Sequence, residues 1–329
     1  MGKRALDGSR RVSGGILGLG GGIGASRLWR ALADAVEPSR LTVVVNTGDD
    51  LWMHGLRICP DLDTTLYALS GRQDPTRGWG LRGESFRCMD ALRGLGYRVW
   101  FNLGDLDLAT HLLRTGLLRD GVPLAQVTGR LATAMGVRQR VLPMTEQEVA
   151  TRVETADGSL LHYEEYLVLH SAAPPVRRVL YDGVERARPA PGVLEAIATA
   201  AVVVLAPSNP IASIAPILAV PGVRDALQST AAVVVAVSPI VSGVPITDPG
   251  ERARATSRAA LLASVGLPAT ASGVARLYRG LCRRYVLDPA DRDEAEAVRA
   301  LGLAPVVVPT LLHAGAPVEA IKEAVLAAV

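Results

Sequence analysis

Cysteine is scarce in this chain of 329 residues: there are three, Cys59, Cys88 and Cys282, and none belongs to a CxxC pair. That spacing excludes a disulfide framework and a cysteine-held zinc site, and it suits a reducing, cytoplasmic compartment. Aromatic residues make up only 4% of the chain, so a core must be filled by Val, Leu, Ile and Ala. Long apolar runs are missing too. The longest, such as 200–206 and 231–237, are strand-length and end at Pro or Ser, far short of the ~20 residues that span a bilayer. No apolar segment follows the charged N-terminus as in a secretory signal, and Leu6 stands where a myristoylation motif needs Ser or Thr. The formal net charge is +3, and residues 1–14 account for it through Lys3, Arg4, Arg10 and Arg11 against Asp7. A nucleic-acid binder carries its basic excess on a folded face. Here it sits on a Gly/Ser/Arg-rich stretch that reads as a disordered tail. The motifs GxSxG, HExxH and GxxxxGK[ST] are all absent. These absences predict a protein with neither membrane nor nucleic-acid partners.

What is present patterns as α/β. Apolar residues make up 49% of the chain, enough for a large core. Val-rich runs alternate with Ala/Arg/Leu-rich stretches, the pattern of buried parallel strands between helices. Strands are expected at 15–19, 41–45, 100–103, 202–205, 232–237 and 306–308, and helices at 26–36, 62–69 and 79–95. The stretch 106–149 reads as helical, broken at Gly116, Gly121 and Gly136. Residues 152–169 alternate around the turn Ala156-Asp157-Gly158-Ser159, which predicts a β-hairpin. This shift marks a smaller inserted α+β subdomain at about 110–190, within a domain spanning 15–329. The expected fold is Rossmann-like: a mostly parallel sheet with helices on both faces. Several strands end in small, polar or acidic residues, and open parallel sheets bind ligands beyond those ends.

The loop after the first strand fits GxGxxA through Gly20, Gly22 and Ala25, with Gly21 and Gly24 between them. It is either a phosphate site at a helix N-terminus or a tight strand-to-helix turn. A nicotinamide site wants an acid at the end of the second strand, and Asn46 stands there instead. Asn46-Thr47-Gly48-Asp49-Asp50 and Pro60-Asp61-Leu62-Asp63-Thr64 put four carboxylates within fifteen residues. Close carboxylates raise one another's pKa unless a cation joins them, and Mg2+ takes a few carboxylates plus substrate phosphate oxygens. Helix capping is the plain alternative for Asp61, while Asp63 and Asp50 read as functional. Asn102, Asp105, Asp107 and His111 form a third polar cluster, where capping is an equal alternative for the two aspartates. His54, His162, His170 and His313 show no ligand spacing. Ser208 and Asn209, held between Pro207 and Pro210, suit recognition of a base or phosphate. The alternative is a Pro-fixed turn, with Ser213 capping the next helix.

Together, residues 46–50, 60–64, 103–111, Leu142-Pro143-Met144, His162-Tyr163-Glu164-Glu165, 206–210 with Pro221-Gly222, and 237–240 resemble the 2-phospho-L-lactate transferases of coenzyme F420 biosynthesis. They resemble most the actinobacterial branch, which uses a phosphoenolpyruvate-derived substrate. The resemblance runs in order from about residue 15 to the C-terminus. It implies a Rossmann-like fold with an inserted subdomain, a homodimer and a Mg2+-dependent reaction. The terminal ribityl hydroxyl of the deazaflavin Fo attacks the β-phosphorus of a guanosine diphospho-ester. The phosphorylated three-carbon acid (phosphoenolpyruvate or 2-phospholactate) moves to Fo, and GMP leaves. Carried over by motif, Asp63 contacts Fo, and Asp63 and Asp50 are the catalytic carboxylates. Asp49, Asp50 and Asp61 surround the metal and the reacting phosphate. Gly20, Gly21, Gly22, Gly24, Asn46, Thr64, Asn102, Asp105, Ser208 and Asn209 become substrate-binding candidates. Members often follow Ser-Pro-Ile with a basic residue, Gly and Pro. Here Ile246-Thr247-Asp248-Pro249-Gly250 occupies that region, without the basic residue.

The chemistry asked of these residues is positioning and charge neutralisation, which is most of what phosphoryl transfer needs. Two rival readings share the glycine loop: a sugar-nucleotide-binding regulatory protein of a related family, and an NAD(P)-dependent oxidoreductase. Because the body is near neutral without residues 1–14, deleting them should leave activity and solubility unchanged. A large loss of Fo binding in the truncated protein would show that the tail is functional.

Overall fold

The computed structural model describes residues 14–311 and 319–328. The expected tail, up to residue 13, and His313 lie outside the described residues. Seven parallel strands build the main sheet. In chain order they are β1 (Gly15–Gly20), β2 (Leu41–Val45), β5 (Arg140–Pro143), β9 (Ala200–Leu205), β10 (Val233–Val237), β11 (Arg284–Leu287) and β12 (Ala304–Val307). Their spatial order is β12-β11-β10-β9-β1-β2-β5. The chain leaves β1 in one direction through β2 and β5, then returns to the other side of β1 and continues through β9 to β12. The strand order therefore reverses at β1, which opens a crevice between the ends of β1 and β9.

These strands are buried on both faces, which is why they read as runs of Val and Leu rather than as alternation. Leu17, Leu19, Val44, Val203, Leu205, Val234 and Ala236 enter one core. Their neighbours Ile16, Val43, Val45, Val202, Val204, Val235 and Val237 enter the other. Helix α1 (Gly22–Ala33) covers the second face and buries Trp29 against Gly18.

Four features differ from the pattern expected from sequence. Residues 100–103 form no strand: Trp100 and Phe101 meet edge to face at 5.6 Å and pack on a small satellite core with Met89 and Leu103. The third strand on that side of β1 is β5, hidden within the stretch that reads as helical, where Val141 and Leu142 pair with Val43 and Val44. The helix expected at 79–95 is confined to α3 (Arg87–Gly94), because Gly78, Gly80 and Gly83 take left-handed backbone ahead of it. Helix α1 starts at Gly22 rather than at residue 26, directly after the first strand.

The hairpin around Gly158 is present as β6 (Ala150–Thr155) and β7 (Leu160–His162). A third antiparallel strand, β8 (Val176–Asp182), completes the small sheet in the order β7-β6-β8. The stretch 110–190 thus supplies this sheet and also β5 and helix α5 (Leu124–Met135), which belong to the main body. A further hairpin, β3 (Leu51–Met53) and β4 (Leu56–Ile58), turns at His54-Gly55 with positive φ at both residues. Helices α2 (Pro60–Leu69) and α4 (Asp105–Arg119) carry the two remaining acidic clusters in their first turns.

Gly18 tests the packing directly. A Cβ there would lie 2.5 Å from the fully buried Trp29 ring. Gly18→Ala should lower stability by about 1–3 kcal/mol, the usual cost of overpacking, as read from the midpoint of urea unfolding. An unchanged midpoint would mean that Trp29 has room to move.

Candidate functional site

At the crevice, β1 and β9 are tied together by Ser208. Its Oγ accepts from the Gly21 amide at 3.2 Å and donates to the Gly21 carbonyl at 2.8 Å. The glycines here are required by close approach. A Cβ at Gly21 would lie 1.8 Å from Asp61 Oδ2, and one at Gly24 would lie 2.5 Å from the Pro207 carbonyl oxygen. Gly20 meets Ala206 and Ser208 in the same way. The Gly22 amide bonds to Asp61. The carboxylate of Asp61 therefore sits at the N-terminus of α1, where the helix dipole favours an anion.

Asp61 belongs to a buried acidic group centred on Asn46. The Asn46 Nδ2 donates to Asp61 Oδ2 at 3.0 Å and to Asp49 Oδ2 at 3.1 Å, while its Oδ1 accepts from the Gly48 amide at 2.8 Å. Glu164, just after β7, is buried beside them. Burial pushes Asp61 up to about 7, against the Asn46 hydrogen bond. Burial and then Asp61 push Glu164 up to about 8. Asp49 is raised well above its ordinary value by burial, then by Asp61 and Glu164. Its Oδ1 has no partner among the described residues.

Asp50 faces the other way. Its Oδ2 lies 3.4 Å from Arg57 Nη2. Burial raises it to about 6, with Arg57 opposing. Asp50 lines a cleft of about 480 Å³ whose walls include Trp52, His54, Arg57, Tyr97, Trp100 and His162. Trp52 donates to Glu148 Oε1 at 2.8 Å, and His54 meets Tyr97 edge to face at 5.1 Å. His162 accepts from the Glu164 amide through Nδ1 at 3.2 Å, which leaves its proton on Nε2. Burial pushes it down to about 4, so it is neutral.

The structure distributes the remaining expected residues as follows. Asp63, expected at the acceptor, has its carboxylate bound by the buried Arg114, with His111 Nδ1 at 3.5 Å. Asp107 lies 3.1 Å from His111 Nε2 and accepts from Tyr67. Asp63, Asp107 and His111 place one ligand atom each within 4.8 Å of one another and could hold a divalent metal. Asp105 lies apart from the acidic group. It accepts from the Arg87 and Cys88 amides at 3.1 and 3.0 Å and so caps α3. Asn102 accepts from Arg93 at 3.1 Å. Asn209 caps the helical turn Pro210–Ile214 through Oδ1 and donates from Nδ2 to Tyr163 Oη at 3.3 Å. Thr64 is buried within α2. Asp49 and Asp61 converge on one amide, whereas Asp50 turns to the cleft.

A family model described as 2-phospho-L-lactate transferase CofD matches residues 16–277. The chain belongs to this family. It is 41% identical over 302 residues to a phosphoenolpyruvate transferase of Streptomyces griseus, an alignment covering 90% of this chain and 92% of that protein. It is 40% identical over 299 residues to a phosphoenolpyruvate transferase of Mycolicibacterium smegmatis, covering 85% and 89%. A crystal structure of a UPF0052-family protein of Bacillus halodurans shares the fold, with a TM-score of 0.63 at 20% identity over 95% of this chain and 98% of that one.

Membership of the CofD family makes this chain an enzyme that transfers a phosphorylated three-carbon acid in coenzyme F420 biosynthesis. The oxidoreductase and regulatory readings are set aside. Among the described residues, no single helix is long and apolar enough to cross a membrane. For this CofD-family chain, sequence reasoning gave no site role to Glu164, which it quoted only within a motif, and did not single out Arg57, Arg114 or the aromatic cleft. A signal for the cleft was available: seven of the thirteen Trp, Tyr and Phe residues fall between Trp52 and Phe101.

The raised carboxyls set a pH dependence. As pH rises, the unfolded chain gives up these protons near the ordinary carboxyl range. The folded groups hold theirs up to about 6 at Asp50, 7 at Asp61 and 8 at Glu164. Over that window the unfolded state binds fewer protons, so the stability of the metal-free protein falls with rising pH and levels off above about 8. A divalent cation that binds the ionised groups offsets the loss. Tm of the metal-free protein should therefore drop between about pH 5 and pH 8, and the increment from added magnesium should grow over the same interval. A flat Tm, or an increment that shrinks with pH, would contradict this.

Proposed function

We propose that this enzyme transfers the phosphoenolpyruvyl group of a guanosine diphospho-ester to the terminal hydroxyl of Fo, releasing GMP. The observation that carries the reading is the junction at Asp49-Asp50. Asp49 joins the acidic group at the crevice, and the next residue lines the aromatic cleft. The crevice takes the diphosphate of the donor. The cleft, with Trp52, Tyr97 and Trp100, takes the flat deazaflavin ring by stacking. The names of the 41% and 40% identical relatives support phosphoenolpyruvate as the acid moved.

Asp49 and Asp61, with Glu164 beside them, are the proposed Mg2+ residues. All are hard oxygen donors, as Mg2+ prefers, and the orphaned Asp49 Oδ1 is a ready ligand. The Asp63 group is already balanced by Arg114. Bound there, Mg2+ would neutralise charge on the reacting diphosphate. Asp50 is the proposed base: with a pKa of about 6 it is ionised at neutral pH and basic enough to accept the proton of the attacking hydroxyl. Asp63 contributes by fixing Arg114 behind Asp50. Homodimer formation and a cytoplasmic location complete this reading.

Fo-dependent GMP release tests it. Asp50→Asn should lower turnover by about 10²–10⁴-fold with Tm kept, and excess chelator should abolish transfer until magnesium is restored. Asp63→Asn should instead cost about 3–5 kcal/mol of stability, because it strands a buried guanidinium. Full turnover by Asp50→Asn, or in excess chelator, would sink the reading. Mass spectrometry of the product separates a phosphoenolpyruvyl ester from its saturated counterpart by two hydrogens.

A further inference from the structure

The amides that a glycine loop offers a diphosphate are partly engaged within this chain, Gly21 by Ser208 and Gly22 by Asp61. The acidic group beside them repels phosphate. A donor with several negative charges needs cationic partners from elsewhere in the fold. They are present on the helix Pro249–Ser264, which carries Arg254 and Arg258 four residues apart, on neighbouring turns of one face.

Polar contacts connect this helix to the crevice. Ser257, fully buried, places its Oγ 3.2 Å from Tyr163 Oη. Asn209 donates to the same Oη, and its neighbour Ser208 bonds to Gly21. The two arginines differ in how they are satisfied. Arg254 pairs with Glu251 at 2.9 Å and lies 3.9 Å from Asp248, yet its Nε is buried without a partner among the described residues. Arg258 is only partly exposed, and among the described residues it makes no hydrogen bond and no ion pair. Its guanidinium lies near Tyr163, Glu251 and Arg254. Burial pushes it below its ordinary value, although Tyr163 and Glu251 oppose that. Arg27 of α1 faces the same Glu251 and Arg254. Three guanidinium groups thus gather around Glu251, and Arg254 also faces Asp248 and Glu164.

A largely desolvated cation costs stability, and at Arg258 Tyr163 and Glu251 offset that cost only in part. An anion from outside the chain would offset the rest. We propose that Arg258, together with Arg254, is the oxyanion-binding site for the diphosphate of the donor, opposite the acidic group. The assignment rests on the donor reading above. It gives this helix a role in substrate capture and makes Arg258 a determinant of affinity for the guanosine diphospho-ester. Arginine suits the task because its planar fork matches two phosphate oxygens at once.

Isothermal titration with GDP, which has the diphosphate but no three-carbon acid, tests the site in the presence of magnesium. Charge-assisted hydrogen bonds of this kind change affinity by about 10- to 100-fold. Arg258→Met should therefore bind GDP that much more weakly, with Tm of the ligand-free protein unchanged or raised, since an incompletely compensated cation has been removed. Arg258→Lys should recover only part of the affinity. Equal GDP affinity in wild type and Arg258→Met overturns the arginine assignment alone, including the case in which Arg258 binds the carboxylate of the acid instead. A lower Tm with unchanged affinity would show a packing role and overturn it as well. Should Arg258→Met fail to fold, GDP affinity of Arg258→Lys equal to wild type would do the same. Wild-type protein that does not bind GDP sinks the donor reading, and this site with it.

Discussion

One amide carries an unusual share of this structure. Asn46 ends the second strand of the sheet and spends its side chain holding Asp49 and Asp61 together while bonding the backbone of its own turn. Two buried carboxylates on one donor repel each other, and none of the described residues cancels their charge fully. The site is therefore built away from electrostatic balance, and what restores balance must arrive with the ligands. Such places are where titration behaviour and function coincide. The same residue explains why a dinucleotide-like glycine loop here does not serve a nicotinamide cofactor. The position that would recognise a ribose is an amide turned inward.

The consequence for chemistry is spatial. Consecutive residues Asp49 and Asp50 point to different sides of the turn after β2, one toward the crevice at β1 and β9, the other toward the aromatic cleft. In the proposed reaction, this places the acceptor side and the diphosphate side on adjacent residues of one turn. Phosphoryl transfer is governed mainly by such placement and by charge neutralisation. Arg57 opposes the effect of burial on Asp50 and holds it to about 6, the range that the proposed base requires.

Much of this was legible in sequence, and the limits have physical causes. The strands at 15–20, 41–45, 200–205 and 233–237 announce themselves because burial on both faces demands unbroken apolar runs. The strand Arg140–Pro143 does not, since it follows a helix closely and only Val141 and Leu142 carry the signal. Trp100 and Phe101 have the composition of a strand, yet they satisfy each other and a satellite core instead of the sheet. Site residues showed a parallel split. The aspartates stood out as clusters along the chain. The partner of Asp63 lies 51 positions away, and the arginines of the helix Pro249–Ser264 drew no reading from sequence. Partnerships made across the sheet leave no local periodicity to read.

The excursion that brings Tyr97 and Trp100 to the cleft begins and ends at one point. Near its start, Ser85 and the amides of Arg87 and Cys88 bond to Asp105. At its end, the Leu106 amide bonds to Glu84, and Gly104 leaves the space that Glu84 fills. Entry and exit are thus clasped to each other by two carboxylates in exchanged positions, independently of what lies between. A segment closed at its base in this way is a module. Its interior can change in length or composition without passing strain to the sheet, so the aromatic wall of the cleft can diverge while the crevice at β1 and β9 stays as it is.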